Sequence, residues 1–429
     1  MAGIHLHPHD LYDEGTEQIF RYIEQMGDIH YIFPEMNSIF ERNPCPTGSL
    51  PRNTVHSFVQ GNGTLHIPYR VPRKQGLYQK QAEEVAMGHD SFSMLQNDPT
   101  HNHYNIIPWV NVLNGDFAGT RLADNQVVDF RGRMIPHWLC PNGPDVISMW
   151  SEVLLETTNK YGWSTYLIDR IRFPDWSGET INPGGLFSCF CGHCRNKMKA
   201  RGIHSAKLIT DMKHICDCLT NKQFDRAVHY FKNSSHMQQW IQFRQDSVSE
   251  FVEQWISRMN SLNPNIAFWL DLWPPSYAWL LGQDYTKLTQ HSRRLKHFPY
   301  HKLGGGADVQ GFIEFLSDTP EERESAFQAF LALFEFNYQL SYEEFKQSGY
   351  PLEFIRDENN KVRRLSQPGT FIFSGIQMWN IRSEELHAAI EEARASEADD
   401  VLYYCYGWAD TESFQNIGEW NRQTKTQSE

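Results

Sequence analysis

The stretch VISMWSEVLLETTNKYGWSTYLIDRIRFP, residues 146–174, places a helix and a strand in immediate succession. Val146 to Lys160 carries a helical apolar pattern. Thr165 to Arg170 is a short apolar run that ends in a carboxylate, Asp169, followed by Arg170, Arg172 and the helix-breaking Pro174. The same alternation extends outward in both directions. Strands are predicted at Gly3 to His7, His30 to Met36, Asn105 to Asn111, Thr165 to Arg170, Ile266 to Leu272, Leu295 to His301, Phe371 to Trp379 and Val401 to Tyr406, with helices such as Asp13 to Gln25 and Ser383 to Ala395 between them. The first helix is expected to begin after Asp13 and Glu14, an acidic pair suited to the positive end of a helix dipole. Eight strand-helix units in sequence predict an α/β fold, a single (β/α)8 TIM barrel.

Such barrels take about 250 residues, so a chain of 429 must carry insertions. They are expected in the loops after strands 2, 4 and 6, at about 38–78, 174–238 and 303–368, on the C-terminal face where barrel enzymes keep their active sites. No composition break or fixed-period repeat marks a second domain, so residues 1–429 are read as one barrel domain. A doubly wound nucleotide-binding sheet would need a glycine-rich phosphate loop after the first strand. The residues there are His5-Leu-His-Pro-His9, and Gly304-Gly-Gly306 lacks the spacing, so no nucleotide cofactor is expected.

With 40% apolar residues the chain can bury a large core, and its longest apolar runs, such as Phe330 to Phe336, are too short to span a bilayer. The N-terminus has no secretory pattern, and a soluble, cytoplasmic protein is predicted. Lys and Arg number 39 against 52 acids, a formal charge of -13 with no basic patch, which argues against nucleic acid as a partner. The oligomeric state is left open. Thirteen Trp, 18 Tyr and 27 Phe suit walls against which sugar rings stack, as well as core packing.

Acids at barrel strand ends read as catalytic. Asp169 ends strand four, where Arg170 or Arg172 would keep it ionised, fit to be a nucleophile or to stabilise an oxocarbenium ion; a structural ion pair at the barrel mouth is the plainer alternative. Asp271, in Ala267-Phe-Trp-Leu-Asp-Leu-Trp-Pro-Pro275, ends strand five and so neighbours Asp169. Trp269 and Trp273 flank it, and shielding by them would raise its pKa toward that of a general acid. Asp284 is a weaker competitor. Glu35, with Asn37 after strand two, is a third candidate catalytic carboxylate. His7, Trp109, Asn111, Asp116, Arg172, Trp273, Tyr300, His301, Gln377, Trp379 and Tyr406, with Trp408 beyond, are candidate substrate-binding groups, because amides, acids and aromatics match sugar hydroxyls and ring faces.

Asp169-Arg-Ile-Arg-Phe-Pro-Asp-Trp176, Trp273-Pro-Pro-Ser-Tyr-Ala-Trp279 with Gly282-Gln-Asp284, Gly375-Ile-Gln-Met-Trp379 and the opening His7-Pro-His-Asp-Leu-Tyr-Asp-Glu-Gly15 together touch most of the chain. In these segments it resembles uncharacterised glycoside-hydrolase-like (β/α)8 barrel proteins. The resemblance implies a barrel acting on a sugar, with the strand-four acid carried over onto Asp169; the expected cytoplasmic location points to a small oligosaccharide or glycoside as that substrate.

Five of the eight cysteines fall between residues 189 and 218. Cys189-Phe-Cys-Gly-His-Cys194 brings three thiols close enough to share a tetrahedral zinc, with Cys140, His193 or the pair Cys216 and Cys218 as the source of a fourth ligand. The run resembles the zinc loop of certain barrel beta-galactosidases, and its role would be structural; free thiols are the alternative. Two rival functions remain. His5 and His7 on strand one would suit a metal-dependent amidohydrolase-like enzyme, although strand five offers no histidine and strand four no terminal lysine. A non-catalytic sugar-binding barrel is the other. Neither a G-x-S-x-G elbow nor H-E-x-x-H is present.

Overall fold

A computed structural model describes residues 1–40, 49–59, 61–70, 76–176, 183–302 and 308–428. Eight parallel strands close into a barrel: β1 Ala2–Leu6, β2 Ile29–Asn37, β3 in two pieces (Asn105–Ile106 and Trp109–Asn111), β4 Thr165–Asp169, β5 Ala267–Leu272, β6 Arg294–His297, β7 Phe371–Gln377 and β8 Asp400–Tyr404. Each pairs with the next, and β8 pairs with β1 through Gly3↔Leu402 and Ile4↔Tyr403. The helix after each strand packs outside: α1 Thr16–Met26, α2 Ser91–Asn97, α3 Val146–Tyr161, α4 Ser235–Leu262, α5 Tyr285–His291, α6 Glu353–Leu365, α7 Ser383–Arg394 and α8 Thr411–Ser428.

The opening stretch shows why these residues form these elements. In α3, Val146, Met149, Trp150, Val153, Leu154, Thr157 and Tyr161 are buried, a single stripe at the helical period, and Gly162 ends the helix in the left-handed region with φ +78°. On β4 the strand period of two sends Leu167 inward and Tyr166 outward, where the Tyr166 hydroxyl donates to the carbonyl of Leu154 at 3.1 Å. Phe33, Ile107, Trp109, Leu167, Trp269, Phe373 and Leu402 fill the barrel as one apolar layer. Phe33 fits because residue 3 is glycine: a Cβ there would stand 2.8 Å from its ring.

Several boundaries differ from expectation. The helix read from Asp13 to Gln25 is two helices, Pro8–Glu14 and α1, parted at Gly15 with φ +78°. Proline at the first helical position starts the chain turning five residues earlier, so Asp13 and Glu14 end one helix and Glu17 occupies the first turn of the next. The last strands are shorter than read, ending at His297, Gln377 and Tyr404. Glu353–Leu365, placed in the third insertion, is the barrel helix α6. The insertion after β4 carries helices Gly192–Ala200, Ser205–Thr220 and Phe224–Asn233, and that after β6 carries Val309–Leu316, Pro320–Leu333 and Tyr342–Ser348. The loop after β3 is also elaborated, with a hairpin of Gln126–Val128 and Met134–Leu139 that its short strands concealed. Cys45 and Gly304 to Gly306 lie outside the described residues. Among the described residues no helix is long and apolar enough to cross a membrane.

Candidate active site

Continuing the inward parity of the core layer toward the C-terminal ends of the strands brings His5 and His7, Glu35, Asn111, Asp169, Asp271, Lys296 and Tyr404 to the barrel mouth. Register sets their neighbours. Asn111 pairs with Asp169, Leu270 pairs with Ile168 so that Asp271 follows beside Asp169, and Asp271 pairs with Lys296.

Asp169 is met by donors. Trp109 Nε1 donates to its Oδ2 at 3.3 Å, the backbone N–H of Arg170 donates to its Oδ1 at 2.5 Å, and Arg170 Nε lies 3.8 Å from Oδ2. Arg170 adopts φ +57°, unusual for a residue with a side chain, and this turn is what folds its N–H back onto the preceding carboxylate. Asp271 is fully buried and accepts from Lys296 Nζ at 3.0 Å through Oδ2, while its Oδ1 has no hydrogen-bond partner among the described residues. Burial pushes its pKa up to about 8; the nearby Lys296 charge opposes this and the Asp169 charge adds to it. Burial also holds Glu35 well above the usual carboxylate range, against the pull of Asn111, whose Nδ2 donates to Oε1 at 2.9 Å. Asn111 is locked in turn by Asn37, whose Oδ1 accepts from the Asn111 N–H at 2.9 Å. Three carboxyl groups therefore meet, with donors gathered on Asp169 and low polarity acting on its two neighbours.

Aromatic rings wall the mouth. Tyr300 stacks on Tyr404 with centroids 5.7 Å apart and meets Trp379 edge-on at 4.9 Å, and Trp408 lies 5.1 Å from Trp379 and 5.6 Å from His7. Lys296 Nζ sits 5.0 Å from the Tyr404 ring centroid.

Of the residues expected here, Glu35, Asp169, Asp271, Asn111, Trp109, His7, Tyr300 and Trp379 come together. Others do not join them. Arg172 is buried against Asp175 at 2.9 Å, with its guanidinium 4.5 Å from the Trp273 ring centroid and 4.9 Å from that of Trp138, so Arg170 alone of the two arginines reaches Asp169. Trp273 packs edge-on to Trp176 at 5.9 Å, and Trp269 belongs to the layer beneath Asp271. Asp116 pairs with Lys80 at 2.9 Å where Phe117–Ala118 meets Tyr78–Gln79, and Asp284 caps α5 by accepting from Lys287 N. Gln377 accepts the N–H of Lys302 at 2.9 Å and so braces the loop after β6, and His301 lines a side cavity with Trp273 and Tyr277. Tyr406 faces away: its hydroxyl donates to Glu14 Oε2 at 2.8 Å and Arg52 covers its ring. The strand stops at Tyr404, so Tyr404 takes the inward place and Tyr406 falls in the following turn. Tyr404 and Lys296 are the residues the sequence reading missed. For Lys296 the signal was present, a charged side chain at an inward position of a strand.

The cysteine cluster assembles with Cys140 as its fourth member. One sulfur from each of Cys140, Cys189, Cys191 and Cys194 lies within 4.8 Å of all the others, Cys140 being 3.4 Å from Cys194 and 3.8 Å from Cys191. A tetrahedral zinc with Zn–S bonds of about 2.3 Å requires sulfurs about 3.8 Å apart. Backbone N–H groups of Val128 and Cys191 point at Cys189 Sγ, and those of Asn142 and Cys194 at Cys140 and Cys191 Sγ, as thiolate ligands require. Cys216 and Cys218 sit apart on helix Ser205–Thr220. The donor set fits zinc.

No protein-family model matches the chain, and no curated protein is similar to it. Solved structures are similar in fold. The catalytic domain of a beta-amylase from Paenibacillus polymyxa aligns over 99% of this chain and 98% of its own, with a TM-score of 0.55 and 8% identity. The glycoside hydrolase domain of PgaB (BpsB) from Bordetella bronchiseptica aligns over 97% and 98%, with a TM-score of 0.52 and 13% identity. A beta-galactosidase from Marinomonas ef1 aligns over 99% of this chain but 60% of its own, with a TM-score of 0.52 and 9% identity. At these identities the shared property is the fold.

Proposed function

We propose that the chain, as one barrel domain, hydrolyses the glycosidic bond of a small oligosaccharide or glycoside, with Asp169 as nucleophile or stabilising carboxylate and Asp271 as general acid/base. One observation carries this reading: Asp169 and Asp271, both buried, end neighbouring strands in different surroundings, Asp169 accepting from Trp109 and the Arg170 N–H, and Asp271 meeting Lys296 with one oxygen while burial raises its pKa to about 8. Strands about 4.8 Å apart suit the separation of about 5–5.5 Å at which the second carboxylate attacks the sugar directly. In that course Asp271 Oδ1, which has no hydrogen-bond partner among the described residues, gives its proton to the leaving oxygen while an Asp169 oxygen bonds to the anomeric carbon. Asp271, now an anion beside Lys296, then takes a proton from the water that cleaves the glycosyl ester and restores Asp169. Glu35 is a competing acid, because burial raises its pKa well above the usual carboxylate range and its side-chain donor is the neutral Asn111.

The fold shared with the beta-amylase domain and the PgaB glycoside hydrolase domain supports a sugar substrate, as do the rings of Tyr300, Trp379, Tyr404 and Trp408. We further propose that the four thiolates hold a structural zinc, which when bound ties the β3 and β4 insertions together; a closed thiolate site offers no position for chemistry. The test is a panel of aryl glycosides and oligosaccharides. Turnover of at least one, lost almost entirely in a folded Asp169→Asn variant, is expected. No turnover across the panel, or wild-type rates in that variant, rejects the reading.

A further inference from the structure

Where β1 ends, the chain turns directly into helix Pro8–Glu14, and this turn gathers His7, His9 and Asp10. All three are buried, and one ligand atom from each lies within 4.8 Å of the others. The rings of His7 and His9 stack with centroids 5.3 Å apart and planes at 15°, and His9 Nε2 lies 3.6 Å from Asp10 Oδ1, too long for a hydrogen bond. Two of the candidate ligand atoms are free of hydrogen bonds, His9 Nε2 and Asp10 Oδ1 having no partner among the described residues; His7 Nδ1 lies 3.4 Å from Cys405 Sγ, and Asp10 Oδ2 is held by the N–H of His7 at 2.8 Å. Gly407 faces the same carboxylate, and a Cβ there would stand 2.4 Å from Asp10 Oδ1, so this oxygen occupies space that any other residue would fill.

A buried polar group without a partner is costly, and converging lone pairs are what a cation offsets. We infer that His7, His9 and Asp10 form a metal site at the rim of the barrel mouth, for a divalent first-row cation such as Zn²⁺. Two imidazoles and one carboxylate match that class and do not match the all-oxygen shells of Ca²⁺ or Mg²⁺. The site is distinct from the four thiols and from the Asp169–Asp271 pair, and it does not depend on the glycosidase reading. It differs as well from a metal held by His5 and His7, because His5 turns into the barrel, 4.5 Å from the Trp109 ring and 5.4 Å from that of Phe33.

The experiment uses the whole chain, stripped with chelator, exchanged into metal-free buffer and loaded with Co²⁺ alone. A thiolate-bound Co²⁺ gives intense near-ultraviolet charge transfer, and a Co²⁺ bound by histidine and carboxylate gives only weak visible bands, so the two sites are read separately. One equivalent per chain without the thiolate band, retained through gel filtration, is expected. His9→Gln and Asp10→Asn should each lose that equivalent, with affinity falling by more than about 100-fold, and leave the thiolate band unchanged. A wild-type protein that retains no such equivalent overturns the site even if neither variant folds. Folded variants that both keep it do the same.

Discussion

At the scale of the residue, the site is an exercise in environment acting on like groups. Asp169 and Asp271 are chemically identical, yet Asp271 is buried with a pKa raised to about 8 and Asp169 is surrounded by donors. If Asp271 is the acid, Asp271→Asn should lower turnover of natural glycosides by about 10²–10⁴-fold while sparing aryl glycosides whose leaving groups need little protonation. The kcat of the wild type should fall as pH rises through about 8, where the acid loses its proton. Lys296→Met should move that limb upward, since the lysine charge opposes the rise in pKa. Stability follows the same group. A carboxyl whose folded pKa exceeds its unfolded value of about 3.9 binds its proton more tightly when folded, so stability declines as pH rises from about 4 to about 8. Melting curves should show Asp271→Asn gaining on the wild type across that window, because asparagine does not ionise.

At the scale of the element, two residues of register separate a wall from a brace. Tyr404 closes β8 facing the mouth and Tyr406 lies in the next turn bonded to Glu14. Tyr406→Phe should cost about 0.5–1.5 kcal/mol of stability with turnover unchanged, whereas Tyr404→Ala should raise KM for any sugar found; urea melts and steady-state kinetics check the pair. The insertions after β3 and β4 meet at the thiols, with Cys140 beyond the hairpin and Cys191 at the start of helix Gly192–Ala200. Elemental analysis should find zinc there, and Cys191→Ser should lower the melting temperature more than it alters kcat. A thiolate site without metal, by ratio and by Co²⁺ spectrum, rejects the zinc.

At the scale of the whole molecule, one apolar layer inside the barrel supports everything above it. Leu167→Ala removes a fully buried side chain from that layer and should cost about 2–5 kcal/mol, read by denaturant unfolding, since Phe33, Trp109 and Trp269 cannot all collapse into the gap. The strands and their order were legible in the chain because alternation at period two and stripes at the helical period are local signals, present in β4 and α3 before any contact forms. The acids at the ends of β2, β4 and β5 were legible for the same reason: a charged residue closing an apolar run marks a strand end. What stands opposite each of them was not. Arg172 turned to Asp175 while Arg170 bent back to Asp169, Lys296 came to Asp271 from the next strand, and Cys140 joined thiols some fifty residues away. Sequence by itself determined the eight barrel strands, their succession and the acids near their ends. Only the tertiary structure decided which groups share a pocket, because partners there are set by register across strands and by which loop packs first against a neighbour, and neither leaves a periodic trace in the chain.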